Sequence, residues 1–295
     1  MRVAVTGARG FLGRHVTRLL AEQGHDVSAL GRGDDGRLRL LDAEPSATTP
    51  DLVALLDGQN ALVHLAGRSV DSLDTPLEAY LGPNVALTEQ LAIAATAAGV
   101  GRLVFTSSRM VYPGHLTAPL REDCAEPADS FYGLSKRMAE EVLALHGRRT
   151  GLTTVSLRVA QVVGDGDGGR GALPRLVEQA LAGGPVTVNG AGAMVRDFVE
   201  VRDVARAIGL AVTAETVAPD GQLVVNIGTG GFSVREMADE VVRQCGLPPE
   251  AVTSRAVEHE DTSVYRLDCT RAEQALGWRP ELGLAEMVRD RVARA

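Results

Sequence analysis

Tyr132-Gly133-Leu134-Ser135-Lys136 sets a phenol four positions ahead of an ammonium. Helical positions i and i+4 share a face, so both groups can address one bound molecule. Lys136 is the only lysine among thirty basic residues. Arginine serves wherever else a cation is wanted, so this position reads as one that needs a compact, adaptable ammonium. The chemistry such a pair suggests is proton transfer to or from an alcohol or ketone. A free phenol titrates near pH ~10, and a neighbouring cation favours the phenolate and would bring it toward the working range. Ser107-Ser108 closes the apolar run Arg102–Thr106, which reads as a strand. Ligands of open α/β sheets lie outside the carboxyl ends of the strands, so the Ser108 hydroxyl can hold a substrate oxygen in line with Tyr132. Ser108, Tyr132 and Lys136 are the catalytic candidates.

A second cluster lies near the start of the chain. Thr6-Gly7-Ala8-Arg9-Gly10-Phe11-Leu12-Gly13 follows a β-branched run, Arg2–Thr6, and opens a helical pattern. In that context Gly7 permits a tight turn, Gly10 lets backbone N–H groups approach a pyrophosphate, and Gly13 lets helix and strand pack closely. The anion would sit at the helix N-terminus, where unpaired N–H groups and the dipole favour negative charge. This points to a nicotinamide dinucleotide, with Gly7, Arg9, Gly10, Phe11, Leu12 and Gly13 around it. The second strand ends in Leu30-Gly31-Arg32-Gly33. No acid stands there to bind a ribose 2′-hydroxyl, and Arg32 suits a 2′-phosphate, so NADP is expected ahead of NAD. Asp34 or Asp35 folding back to the ribose is the alternative. Asp42 is a candidate adenine contact.

These groups need a scaffold. Arg2–Thr6, a helix carrying Leu12, Val16, Leu19 and Leu20 on one face, and Asp26–Leu30 form a βαβ unit. Ala61–Leu65, Arg102–Thr106 and Thr154–Val159 read as further strands, with helices near Asn84–Ala98 and Tyr132–His146. The alternation predicts an α/β fold, a doubly wound parallel (Rossmann) sheet with a smaller C-terminal α/β substrate lobe. The expected division is a dinucleotide-binding domain over 1–164, with 196–230 returning to it, and a substrate lobe over 165–195 and 231–295. The glycine-rich run Asp165–Gly171 marks the change of texture.

Composition narrows the partners. The net charge is −8 and no basic block occurs, so nothing motivates nucleic-acid binding. Cys124, Cys245 and Cys269 have no ligand spacing, and the histidines form no HExxH-type pair, so no disulfide framework and no metal are expected. No run approaches the roughly 18 apolar residues of a membrane span. The first residues read as a strand rather than a signal peptide. A cytoplasmic protein is the expectation.

Taken together these motifs resemble the extended short-chain dehydrogenase/reductase family, which holds nucleotide-sugar epimerases, dehydratases and ketoreductases. The resemblance runs through Thr6–Gly13, Val63-His64-Leu65-Ala66-Gly67, Asn84-Val85 and Ser107-Ser108-Arg109-Met110-Val111-Tyr112-Pro113. It continues through Tyr132–Lys136, Arg196-Asp197-Phe198-Val199, Asn226-Ile227-Gly228 and Leu276-Gly277-Trp278-Arg279-Pro280. It implies that Ser108 orients substrate, Tyr132 is the acid/base, and Lys136 binds the ribose beside the tyrosine. It further implies that Leu65, Ala66 and Gly67 line the cofactor and that Arg196 reaches a substrate phosphate. Arg109, Gln161 and Arg266 complete the substrate-binding candidates. Two departures stand out. Arg109-Met110 replaces the Asp-Glu pair that performs elimination in 4,6-dehydratases, which argues against that reaction. Glu258-His259-Glu260 stands where an arginine usually grips the diphosphate, so Arg266 would have to take its place.

The resemblance leaves the reaction open. The first expectation is a 4-ketoreductase of a nucleotide-linked deoxysugar, taking hydride from NADPH and a proton from Tyr132. The alternatives are a C4 epimerase with retained NAD and a reductase of a non-sugar ketone. A cofactor-sensing scaffold would not need both Tyr132 and Lys136. A homodimer through the helices near Asn84–Ala98 and Tyr132–His146 is what the resemblance implies.

Overall fold

A computed structural model describes residues 1–30, 49–70, 72–115, 119–169, 171–215 and 221–295. Arg32 and Asp42 lie outside the described residues. In chain order the first elements are β1 (Arg2–Thr6), α1 (Phe11–Glu22), β2 (Asp26–Leu30), α2 (Thr49–Leu56) and β3 (Ala61–His64). They are followed by α3 (Glu78–Tyr80), a π turn (Leu81–Ala86), α4 (Leu87–Ala97), β4 (Arg102–Ser108), α5 (Phe131–Thr150) and β5 (Thr153–Val159). Then come β6 (Gln161–Val163), α6 (Ala172–Leu181), β7 (Val186–Asn189), β8 (Val195–Arg196), β9 (Phe198–Glu200), α7 (Val201–Thr213) and β10 (Gln222–Ile227). The last are β11 (Phe232–Ser233), α8 (Val234–Gln244), β12 (Val252–Arg255), α9 (Thr270–Leu276) and α10 (Leu284–Val292).

Six strands pair in the order β10-β5-β4-β3-β1-β2, all parallel. The doubly wound sheet predicted from the alternation is what the chain forms. Its strands are apolar on both faces because both are covered. Val3 and Val5 enter one core with Val16 and Leu20 of α1 and Val204 and Ile208 of α7. Ala4, between them, enters the other with Leu52 of α2, Leu91 of α4 and Leu143 of α5. The strand order reverses between β1 and β3, whose last residues, Thr6 and His64, pair in register. The crevice of an open sheet forms at such a point.

A third, smaller core gathers Leu173, Leu176 and Val177 of α6, Met237 and Val241 of α8, and Met287 and Val288 of α10. The sequence reading put all of 231–295 in this lobe, and the packing differs in one stretch. Tyr265, Leu267, Ala272, Leu276 and Trp278 are buried in the first core, against the large sheet. The Trp278 indole N–H donates to the Asp203 carbonyl at 3.0 Å, which leads the chain back across α7.

Several of the motif residues turn out to tie distant segments of the chain together. The Tyr112 hydroxyl donates to Asn226 Oδ1 at 2.7 Å and accepts from Arg158 at 2.9 Å. Arg158 also grips Glu140 through a buried ion pair of 2.7 Å. Asp197 is fully buried and accepts the backbone N–H groups of Thr229, Gly230 and Leu267. Among the described residues no helix is long and apolar enough to cross a membrane, and no His, Cys, Asp and Glu cluster is gathered for a metal ion.

Candidate active site

The Gly7 turn sits at the carboxyl end of β1. Gly7 has φ +69°, and a Cβ there would meet the Ala66 nitrogen at 2.8 Å. A Cβ on Gly13 would meet the Gly7 carbonyl oxygen at 2.1 Å, so close helix–strand packing requires glycine there. The first turn of α1 carries no acid, and its N-terminus is therefore suited to an anion. Thr6 Oγ1 accepts from the backbone N–H groups of Leu65 and Ala66 at 3.2 and 3.3 Å, which seats the Leu65-Ala66-Gly67 stretch beside the turn. These residues fit a dinucleotide: the cradle is lined by backbone and would be filled by any larger side chain.

A hydrogen-bond chain that sequence reasoning missed runs on from this turn. Thr6 Oγ1 lies 2.8 Å from His64 Nδ1, His64 Nε2 lies 3.0 Å from Thr88 Oγ1, and Thr88 donates to the Asn84 carbonyl at 2.7 Å. Thr6 already accepts two N–H groups, so its own proton goes to Nδ1. His64 then carries its proton on Nε2 and is neutral. Burial pushes its pKa down to about 3, and Lys136 pushes the same way. Asn84 is buried and ties two more segments: it accepts from Arg68 N–H at 2.7 Å and donates to Ser135 Oγ at 3.0 Å. It sits in the π turn. Pro83 lacks the N–H that a regular helix would use there.

Helix α5 begins at a cap: Ser130 Oγ accepts the Gly133 N–H at 3.1 Å. Ser135 donates to the Tyr132 carbonyl at 2.7 Å. The i, i+4 pair is thereby aimed at the ends of β1, β3 and β4. A cavity of about 200 Å³ brings together Leu12, Leu65, Gly67, Ser108, Tyr132, Lys136 and Val162. Ser108 accepts the Met110 N–H at 3.2 Å, and its hydroxyl pulls the Tyr132 phenol downward. The Tyr80 ring meets Tyr132 edge-on, 5.7 Å between centroids.

One expectation needs correcting. The lysine was to lower the phenol. In the protein itself burial pushes the Tyr132 hydroxyl up to about 12, with the Ser108 hydroxyl working against it. Lys136 instead donates to the Thr106 carbonyl at 3.0 Å and lies 4.7 Å from the centre of the Phe105 ring. A positive nicotinamide, when one is bound, would favour the phenolate.

Burial pushes Lys136 down to about 8, with Glu140 pulling upward. Its folded pKa lies below the ~10.4 of an unfolded lysine. Between about 8 and about 10 the unfolded chain holds the extra proton, so stability rises with pH there. The stability difference between Lys136→Met and wild type should move in favour of wild type across that window. Thermal unfolding at a series of pH values checks this, and a difference that does not change with pH would refute it.

The remaining substrate-binding candidates are not among the residues that line this cavity. Gln161 opens β6, which pairs with β9, and adjoins the cavity through Ala160 and Val162. Arg196 is committed to Asp261 at 3.0 Å and to Ser263 Oγ at 2.9 Å. Arg266 is exposed and lies against Gly231, with Glu236 feeling its charge; the structure does not bring it to the cavity of Tyr132. Arg9 and Gly10 are exposed at the turn, and Phe11 stacks edge-on to His15. A second cavity of about 270 Å³ in the smaller part is lined by Leu176, Asn189, Met194, Arg255 and Asp261, among others.

Residues 3–228 match the family model described as "NAD dependent epimerase/dehydratase family". The chain belongs to this family. A UDP-glucose 4-epimerase of Mycolicibacterium smegmatis is 34% identical, over 97% of this chain and 96% of that protein. A dTDP-6-deoxy-L-talose 4-dehydrogenase (NAD(P)(+)) of Kitasatospora kifunensis is 31% identical, over 98% of this chain and 94% of that one. Among solved structures, MoeE5 in complex with UDP-glucuronic acid and NAD superimposes with a TM-score of 0.82 at 32% identity, covering 99% of this chain and 98% of its own. Membership of the epimerase/dehydratase family makes the chain an NAD(P)-dependent enzyme of the short-chain dehydrogenase/reductase type, and the doubly wound sheet is the family's own.

Proposed function

We propose that this enzyme is a C4 epimerase of a UDP-linked hexose, working with retained NAD. The observation that carries the reading is that Ser108, Tyr132 and Lys136 line one cavity, where the Ser108 hydroxyl acts on the Tyr132 phenol. Epimerisation needs one group that takes a proton from an alcohol and returns it to a ketone in the same visit, and a buried phenol with a hydroxyl partner can do both. NAD, when bound, supplies the hydride acceptor and gives the hydride back. Ser108 orients the C4 oxygen, Tyr132 carries its proton, and Lys136 holds the ribose close to the phenol. The second cavity, beside Arg196 and Asp261, is the place for the nucleotide. Arg109-Met110 offers no acid for elimination, which argues against a dehydratase.

The sequence alone favoured a 4-ketoreductase. The 34% relative named as a UDP-glucose 4-epimerase tips the balance to the alternative, while the 4-dehydrogenase relative keeps net oxidation or reduction at C4 as a second reading. The two differ in cofactor balance. Incubation with UDP-glucose should give an equilibrium mixture with UDP-galactose and no net change in nicotinamide absorbance. Stoichiometric consumption of the nicotinamide, with no epimer formed, would overturn the epimerase reading. Exposed Ile93 on α4 and Leu145 on α5 offer an apolar face for a homodimer through these two helices. A cytoplasmic setting suits nucleotide-sugar chemistry.

A further inference from the structure

Among the described residues, five buried side-chain oxygens have no hydrogen-bond partner: Oε1 of Gln59 and the hydroxyls of Tyr80, Ser107, Thr154 and Ser156. A buried hydroxyl left unpaired lowers stability, and an apolar side chain of the same shape would not. Of the five, Ser107 is the one that also lines the cavity of Ser108, Tyr132 and Lys136. The residue is 5% exposed, so bulk water does little for it. Ser156, on β5, is orphaned in the same way but does not line that cavity. An unmet hydroxyl in the wall of a ligand cavity is what a polar group of the ligand would complete.

The strand indicates which part of which ligand. Successive side chains of a strand point to opposite faces. Ser107 therefore stands on the face of β4 that carries Leu103 and Phe105, opposite the face of Thr106 and Ser108. The cores agree: Val104 packs with α1 and α7, whereas Leu103 and Phe105 pack with α4 and α5. Lys136 of α5 lies on that second side. Its ammonium is 4.7 Å from the centre of the Phe105 ring and 3.0 Å from the Thr106 carbonyl oxygen.

We infer that the Ser107 hydroxyl pairs with a hydroxyl of the nicotinamide ribose, beside Lys136, and that Ser107 is a further cofactor-binding residue. This role rests on Lys136 holding that ribose, and it stands whatever the outcome at C4. A ribose hydroxyl both gives and takes a hydrogen bond, as a serine does, so either direction satisfies the buried oxygen. Ser108, on the other face of the strand, remains for the substrate. Two adjacent serines thus divide the two ligands between them. The hydroxyl of Ser107 costs stability in the empty protein and repays it only when the dinucleotide is bound.

The test is fluorescence titration of NAD, with thermal unfolding in its absence and presence, on wild type, Ser107→Ala and Ser156→Ala. Without NAD both variants should unfold at or above the wild-type Tm, because each loses an unmet hydroxyl. Ser107→Ala should bind NAD about three- to tenfold more weakly, the worth of one neutral hydrogen bond. The cofactor should then raise its Tm by less than it raises that of wild type. Ser156→Ala should bind NAD as wild type does. At saturating NAD the KM for a UDP-hexose should not move in either variant. Unchanged NAD affinity in Ser107→Ala would overturn the inference. So would a loss confined to the KM of the sugar, which would place the hydroxyl on the hexose. A Ser107→Ala Tm well below wild type without NAD would reveal a partner within the protein and overturn it too. Weakened NAD binding in Ser107→Ala but not in Lys136→Met would sink the ribose role of Lys136 and leave Ser107 on the cofactor.

Discussion

Replacing Tyr132 with phenylalanine should lower kcat by about 10²–10⁴-fold, the usual worth of a positioned acid/base, while NAD affinity stays within a few-fold. The change removes a single oxygen. That oxygen shares the cavity with Ser108, and the ring keeps its edge contact with Tyr80, so packing is retained. The glycine cradle at Gly7 and Gly13 lies on other elements and is untouched. Because burial holds the phenol at about 12 in the protein alone, it carries its proton at neutral pH until cofactor and substrate are in place. It can release that proton only when a positive charge arrives nearby. Steady-state rates with a UDP-hexose, set beside fluorescence titration of NAD, check the separation. A variant turning over near the wild-type rate would remove Tyr132 from the mechanism.

Gly133→Ala is the second large effect, and its sign is the reverse of what local propensity suggests. Alanine in place of glycine inside a helix is ordinarily stabilising by about 1 kcal/mol. Here a Cβ would stand 1.8 Å from the Met110 carbonyl oxygen and 2.7 Å from its carbon. Both are backbone atoms of the turn that follows Ser108, so neither can swing aside. The clash must push α5 away from that turn, at a cost of about 1–3 kcal/mol for overpacking. The same displacement separates Tyr132 from Ser108, and a misplacement on the order of 1 Å costs about 10²-fold in rate. A lowered Tm together with a kcat loss of that order is expected. A raised Tm with unchanged kcat would show that the turn yields and that the close approach does not position the site.

Gly133 illustrates how the site divides between pattern and packing. Sequence reasoning read Tyr132 and Lys136 from their spacing and passed over the glycine between them, because nothing local says what a helix will touch. Asn84 was noted only as part of a motif. The π turn that bears it, and its bonds to Arg68 and Ser135, depend on Pro83 interrupting a helix that the tertiary contacts keep going. Arg109 was named as a substrate contact by its neighbourhood to Ser108, but its stacking on Tyr265 joins residues 156 positions apart. No periodicity encodes such a pair.

The chain's own order of residues determined the βαβ start, the glycine turn, the parallel sheet and the helix that pairs a phenol with an ammonium. Each of these is set within a few residues, by side-chain period, β-branching, or the need for a missing Cβ. Only the folded molecule decided that Lys136 turns to the Thr106 carbonyl rather than to the phenol, that His64 is a neutral link between Thr6 and Thr88, and that Tyr265 and Trp278 return to the large core. Those outcomes depend on what burial removes from water and on which groups from distant segments remain to satisfy it, and that is settled only when the elements have packed.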